Sequence, residues 1–214
     1  MTTRMRASPC LALALGVLLG VAAPAAGWAQ VVDQQSLADW SQAAARGLFD
    51  LCRAHAPDAA DVVDHGEVWG WPRFIGYQEA PEGYRREAGG QSRRTYKVGA
   101  ETASVDATVQ SGEVTSVAPA RIRYFRCNVA SDQPIDKDLE AYFAAFYGAP
   151  TQKTDKATVW LLGAAAGAAG LDDDAALKAV VAGGPGARGQ RIELSRELDR
   201  DRAKLTLFQE SSSP

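Results

Sequence analysis

Histidine, cysteine and methionine are scarce in this chain, at two, three and two residues. With only His55 and His65, any scheme that uses an imidazole as base or metal ligand is confined to one short segment. No Cys-x-x-Cys pair occurs, which removes the usual thiol-redox arrangement. Gly-x-Ser-x-Gly, Ser-x-x-Lys and His-Glu-x-x-His are also missing, so the local signatures of the common hydrolases are not there. Catalytic triads can be scattered along a chain, so these gaps lower the expectation of catalysis without abolishing it. Beyond residue 23 no apolar run approaches the roughly 20 residues needed to cross a bilayer. The formal net charge of −3 is weakly acidic, which argues against general binding to nucleic acid or anionic lipid.

What the chain does have begins at its first residues. Arg4 and Arg6 precede an apolar stretch from Cys10 to Ala23, and Pro24 then leads into Gly27-Trp28-Ala29. A basic start, a short apolar run and small residues in that order are what the export machinery reads. Residues 1–29 are therefore expected to be a cleavable signal peptide, cut after Ala29, with Ala26 as the second choice. The apolar run is too short for a membrane anchor. Cys10 opens that run where a lipoprotein cysteine would close it. Removal takes away Arg4 and Arg6, leaving the product two charges more acidic. Residues 30–214 have the length of one domain, with a real core and a polar, frayed tail from Ser211.

Cleavage also leaves two cysteines, Cys52 and Cys127. Two thiols in an oxidising compartment most often pair, closing here a loop of about 75 residues, for which chain entropy suggests about 4 kcal/mol. Two buried, unpaired thiols are the alternative, because a bridge needs specific Cα geometry.

Ser36 opens a helix, with Asp39 placed to complete a capping box. Leu37, Trp40, Ala44, Leu48 and Leu51 recur at steps of three and four, with Cys52 beside them. A second short helix follows Pro57 and ends near Gly66. Alternation then takes over. Ala103 to Val109, a Ser111-Gly112 turn, then Val114 and Val117 read as a hairpin. Arg121 to Val129 reads as a central strand, either bulged or buried on both faces. Asp136 caps a further helix that ends at Gly148 and Pro150. Ala157 to Leu162 reads as a short strand, and residues 163–170 as a loop. Asp172 or Asp173 caps a helix ending at Gly183. Ile192, Leu194 and Leu198, then Ala203, Leu205 and Leu207, form a last hairpin around the charged turn Asp199–Arg202. With hairpins and no regular β-α-β alternation, the expected class is α+β: an antiparallel sheet with about four helices packed mainly on one face.

Several segments could carry chemistry. His55, Asp58, Asp61 and His65, with Asp64 and Glu67 nearby, are the only local cluster of metal-ligand types. Asp58, Asp61 and His65 would share one helix face, and two imidazoles with a carboxylate could hold a divalent ion. A solvated acidic helix ending in histidine accounts for the same spacing. Trp69, Trp71, Phe74 and Tyr77 concentrate aromatics where exposed rings could stack on a sugar or peptide; equally, they could staple a loop to the core. Arg85, Arg86, Arg93, Arg94 and Lys97 surround Gly89-Gly90 and could meet an anionic partner, or simply decorate a mobile loop. Asp172-Asp173-Asp174 lacks the alternating ligands of a calcium loop, and capping explains it. Gly184-x-Gly186-x-x-Gly189 matches a dinucleotide fingerprint by letter. Here, however, a helix precedes it and a strand follows, the reverse of what pyrophosphate binding needs.

Phe49-x-x-Cys52, Gly70-Trp71 and Cys127-x-Val129 before a helix ending at Gly148-x-Pro150 resemble a pattern in uncharacterised exported proteins of Gram-negative bacteria. The resemblance implies a periplasmic or secreted location and the disulfide, and it brings no activity with it. The reading that follows is a non-catalytic binding or envelope-associated module with no cofactor. Its partner would be an envelope glycan or protein and not a nucleic acid. The alternative is a metal-assisted hydrolase using the His55/His65 acidic cluster.

Overall fold

The computed structural model describes residues 36–76, 79–197 and 199–211. The expected signal peptide, Tyr77, Leu198 and the last three residues lie outside them. Among these described residues, four α-helices and one seven-stranded antiparallel sheet make an α+β fold. Among the described residues, no helix is long and apolar enough to cross a membrane.

Helix α1 spans Leu37–His55 and starts at the expected box: Asp39 N–H donates to Ser36 Oγ at 3.1 Å, and Ser36 N–H returns to the Asp39 carboxylate at 3.2 Å. Its stripe of Leu37, Ala44, Leu48 and Leu51 is buried. Helix α2, Ala59–Gly66, is capped by Asp58, whose carboxylate accepts from Ala60 N–H at 2.9 Å. The strands are β1 (Tyr84–Val98), β2 (Glu101–Val114), β3 (Ile122–Ser131), β4 (Gln152–Lys153), β5 (Ala157–Gly163), β6 (Arg188–Glu197) and β7 (Arg200–Glu210). Helix α3, Asp136–Tyr147, connects β3 to β4, and α4, Asp173–Gly183, connects β5 to β6. The sheet order is β1-β2-β3-β7-β6-β5-β4.

Register divides this sheet into two faces with different chemistry. Val109, Cys127, Leu205, Ile192 and Trp160 stand side by side across β2, β3, β7, β6 and β5. They belong to the larger core with α1, α2 and α3. The alternate positions Tyr124 and Phe208 are buried with Leu177 and Val180 of α4 in a second, smaller core. Three helices therefore pack on one face and α4 on part of the other; the expectation was about four helices packed mainly on one face. Strand β3 pairs without a register break on both sides, so its imperfect alternation reflects burial on two faces and not a bulge.

Cys52 of α1 reaches Cys127 at the centre of the sheet, and the two are bonded with their Cα atoms 6.4 Å apart. That span is ordinary for a disulfide, and both residues are fully buried.

Four local expectations are corrected. The basic stretch is no loop but the 15-residue edge strand β1. Its glycines sit where neighbours come close: a Cβ on Gly89 would lie 2.6 Å from the Val109 carbonyl oxygen. Ser111-Gly112 is no turn either, because β2 runs through it and a Cβ on Gly112 would lie 2.0 Å from the Arg85 carbonyl oxygen. The β1–β2 turn is at Gly99, with φ 60°. Gly163 ends β5, and Ala164–Gly167 form a 3-10 turn whose Ala165 is fully buried. Asp136 does not cap α3. The cap comes from β7: the Asp201 carboxylate accepts from Ile135 N–H at 2.8 Å and Asp136 N–H at 3.2 Å.

Candidate functional site

The segment read as a possible metal site brings its two histidines together, but as a stack. The His55 and His65 rings lie 4.3 Å apart between centroids, inclined by 19°, at the ends of α1 and α2. His65 Nδ1–H donates to the Asp61 carbonyl at 2.9 Å, and Asp58 is committed to its cap. Among the described residues, no group of three or more His, Cys, Asp or Glu side chains is placed to hold a metal ion.

The aromatic segment divides. Trp71 is 3% exposed and Phe74 is 6% exposed; both belong to the larger core, where Phe74 packs on Gly66 and Gly90. Their burial removes them as an exposed stacking platform. Trp69 remains 45% exposed, edge-on to His55. The basic residues of β1 are largely spoken for. Arg85 bonds Glu113 across the strand pair, Arg93 bonds Asp106, and Arg94 donates to the Gly70 carbonyl with its guanidinium 5.0 Å from the Trp71 ring. Asp172 caps α4 through Ala175 N–H at 2.7 Å, as expected. Gly184–Ala187 link α4 to β6 and Gly189 lies within β6, so a strand and no helix N-terminus follows the glycines.

A surface that no local motif announced lies on the α4 face of the sheet. Register again builds it row by row. Under α4 the row is apolar: Tyr124 beside Phe208. The next row is Gln110, Arg126, Thr206 and Arg191, with Asp173 of α4 set over it. Beyond the helix come Thr108, Asn128, Lys204 and Glu193, then Asp106, Ala130, Arg202 and Ser195. The side chains of these last two rows are half-buried, with Arg202 exposed, and they line a depression of about 450 Å³. A helix of α4's length cannot span the strands, so half of this face stays polar and open.

The charges along this surface are set by their neighbours. Burial would raise the Asp173 carboxyl, but Lys204, Arg126 and Arg191 outweigh it and hold it below its ordinary pKa of 3.8. Burial acts likewise on Asp106, and the guanidinium groups of Arg93 and Arg200 reverse it. Arg126 is 11% exposed, its guanidinium carbon lying 4.5 Å from the Tyr84 ring and 5.6 Å from the Tyr124 ring. Asn128 donates to Thr108 Oγ1 at 3.2 Å. Among the described residues, neither histidine lines the depression, and no aromatic side chain does. The surface can exchange hydrogen bonds and charge with a ligand, whereas it offers no ring for a sugar to stack on.

The only advance signal of this surface was polar alternation: Asp106, Thr108 and Gln110 in β2, Arg126 and Asn128 in β3, Lys204 and Thr206 in β7. Each set by itself reads as the wet side of a half-exposed strand. No protein-family model, curated protein or solved structure matches the chain.

Proposed function

We propose that this is an exported, non-catalytic binding module of the cell envelope, periplasmic or secreted, whose contact surface is the open half of the α4 face. One observation carries the reading. Two rows of mostly polar side chains, each crossing β2, β3, β7 and β6, stay half-buried to exposed on a sheet whose other face carries three helices. Loops or helices that bury sheet faces are the rule, and an open concave face is a common place for a ligand. The Cys52–Cys127 bond supports an oxidising compartment, in keeping with the leader-like first residues.

The lining favours a protein partner over a glycan. Carboxylates and cations are interspersed across it, and among the described residues no indole or phenol ring lines it. The hydrolase reading finds less support, because its two histidines stack and, among the described residues, no third ligand joins them.

Site-specific photocrosslinking in the native host tests this. A photoreactive residue at Asn128 should give a discrete adduct, and the same residue at Lys178, on the exposed side of α4, should not. Equal labelling at both sites, or none at Asn128, would contradict the proposal.

A further inference from the structure

The ion pairs around the depression are unevenly matched. Asp106 meets Arg93 and Arg200, and Glu197 meets Arg202. At the α4 end, two carboxylates face three cations: Asp173 and Glu193 against Arg126, Arg191 and Lys204. Glu193 is hydrogen-bonded to Arg191, and Asp173 is shared among all three cations. Its Oδ2 lies 2.6 Å from Lys204 Nζ and 3.4 Å from Arg126 Nη2, and its Oδ1 lies 3.3 Å from Arg191 Nη1.

Arg126 is the cation least served by this arrangement. Its contact with Asp173 is the longest of the three, and its buried Nε has no hydrogen-bond partner. A buried donor left without an acceptor is unfavourable, so a rearrangement that brings it one is favoured. The Tyr84 ring holds the guanidinium from one side, which restricts the rotamers a mobile arginine would lose on binding. Lys204 stands beside it, one row further into the open depression and one-third exposed.

We infer that the Arg126–Lys204 corner of the depression is a subsite for an oxyanion of the ligand, a carboxylate or a phosphate. A planar donor fork next to an ammonium suits such a group in both geometry and charge. Asp173 then has a second role. It is the internal acceptor that an incoming oxyanion competes with, so it sets the affinity of the subsite. This inference rests on the open face being the contact surface.

The sign of the Asp173 effect makes the inference testable. Purified protein with its disulfide intact is titrated with inorganic phosphate and, separately, with acetate, against sodium chloride at matched ionic strength. The Arg126 Nε–H resonance and the melting temperature are followed. At least one oxyanion should shift that resonance saturably where chloride does not, and the stronger of the two identifies the source of the charge. Asp173→Asn should tighten the binding about tenfold, while Arg126→Lys should weaken it about tenfold with the circular dichroism unchanged. A response equal to that of chloride, or an Asp173→Asn protein that binds no better than the parent, overturns the subsite. Asn128 crosslinking separates the two claims. If the adduct persists while oxyanions fail to bind, the subsite falls and the contact surface stands; loss of the adduct alone removes the surface.

Discussion

Asp201 of β7 caps a helix that begins 65 residues before it in the chain: its carboxylate holds the Asp136 N–H at 3.2 Å and the neighbouring Ile135 N–H at 2.8 Å. Asp201 is buried, with Arg196 at 3.9 Å as its ionic neighbour. The start of α3 therefore depends on the β6–β7 hairpin being in register. Asp201→Ala should lower stability by about 1–2 kcal/mol, the usual cost of a lost cap. Asp136→Ala should cost less, because that side chain makes no cap. Urea denaturation of both variants checks the order.

Trp71 and Trp69 stand two residues apart and should behave oppositely. Trp71→Ala opens a cavity in the larger core and should cost about 3–5 kcal/mol. Trp69→Ala removes an exposed ring and should stay within about 0.5 kcal/mol. Comparable losses from both would mean that Trp69 is buried in the folded protein.

The disulfide closes a loop of 75 residues between α1 and the central strand. Replacing both cysteines by alanine should cost about 4 kcal/mol by the chain-entropy relation, on top of the packing lost around them. Thermal denaturation of the double variant and the oxidised parent, both without reductant, gives the difference. A gap under about 1 kcal/mol would show that the tether contributes little.

Acid should weaken the open face first. Asp106 and Asp173 both titrate below 3.8 in the folded protein, each held down by the cations around it. A depressed carboxylate adds stability above its unfolded pKa and loses it as pH falls toward the folded one. Asp173→Asn should therefore destabilise the protein at pH 7, by about 2 kcal/mol, with the deficit shrinking as pH drops below about 4. Melting curves between pH 7 and pH 3 test this, and a deficit that stays constant or grows would reverse the sign assigned here.

What local pattern can carry came through well. Helix α1 announces its cap and stripe, β3 its aromatic density, and β6 and β7 their alternation. Strand β1 was hidden because an edge strand needs only one partner and little burial. Arginines and two central glycines therefore replaced the alternation that marks its neighbours. The Asp201 cap was hidden by distance along the chain. The open face was illegible for a related reason: Thr108, Asn128, Lys204 and Glu193 become neighbours only once β2, β3, β7 and β6 pair in that order. Cys52–Cys127 was legible as an expectation because, with the leader-like residues set aside, two thiols remain and such a pair most often bonds in an oxidising compartment. The metal-ligand cluster shows the limit of spacing, which says which residues share a side of a helix and nothing about whether their side chains converge.

The most direct measurement blocks the open face and watches a neighbouring position. With a photoreactive residue at Ser195, Asn128→Trp places an indole in the middle of the depression. The account predicts that the Ser195 adduct disappears while export, disulfide formation and melting temperature stay at parental values. An undiminished adduct from a folded, exported Asn128→Trp protein would contradict it.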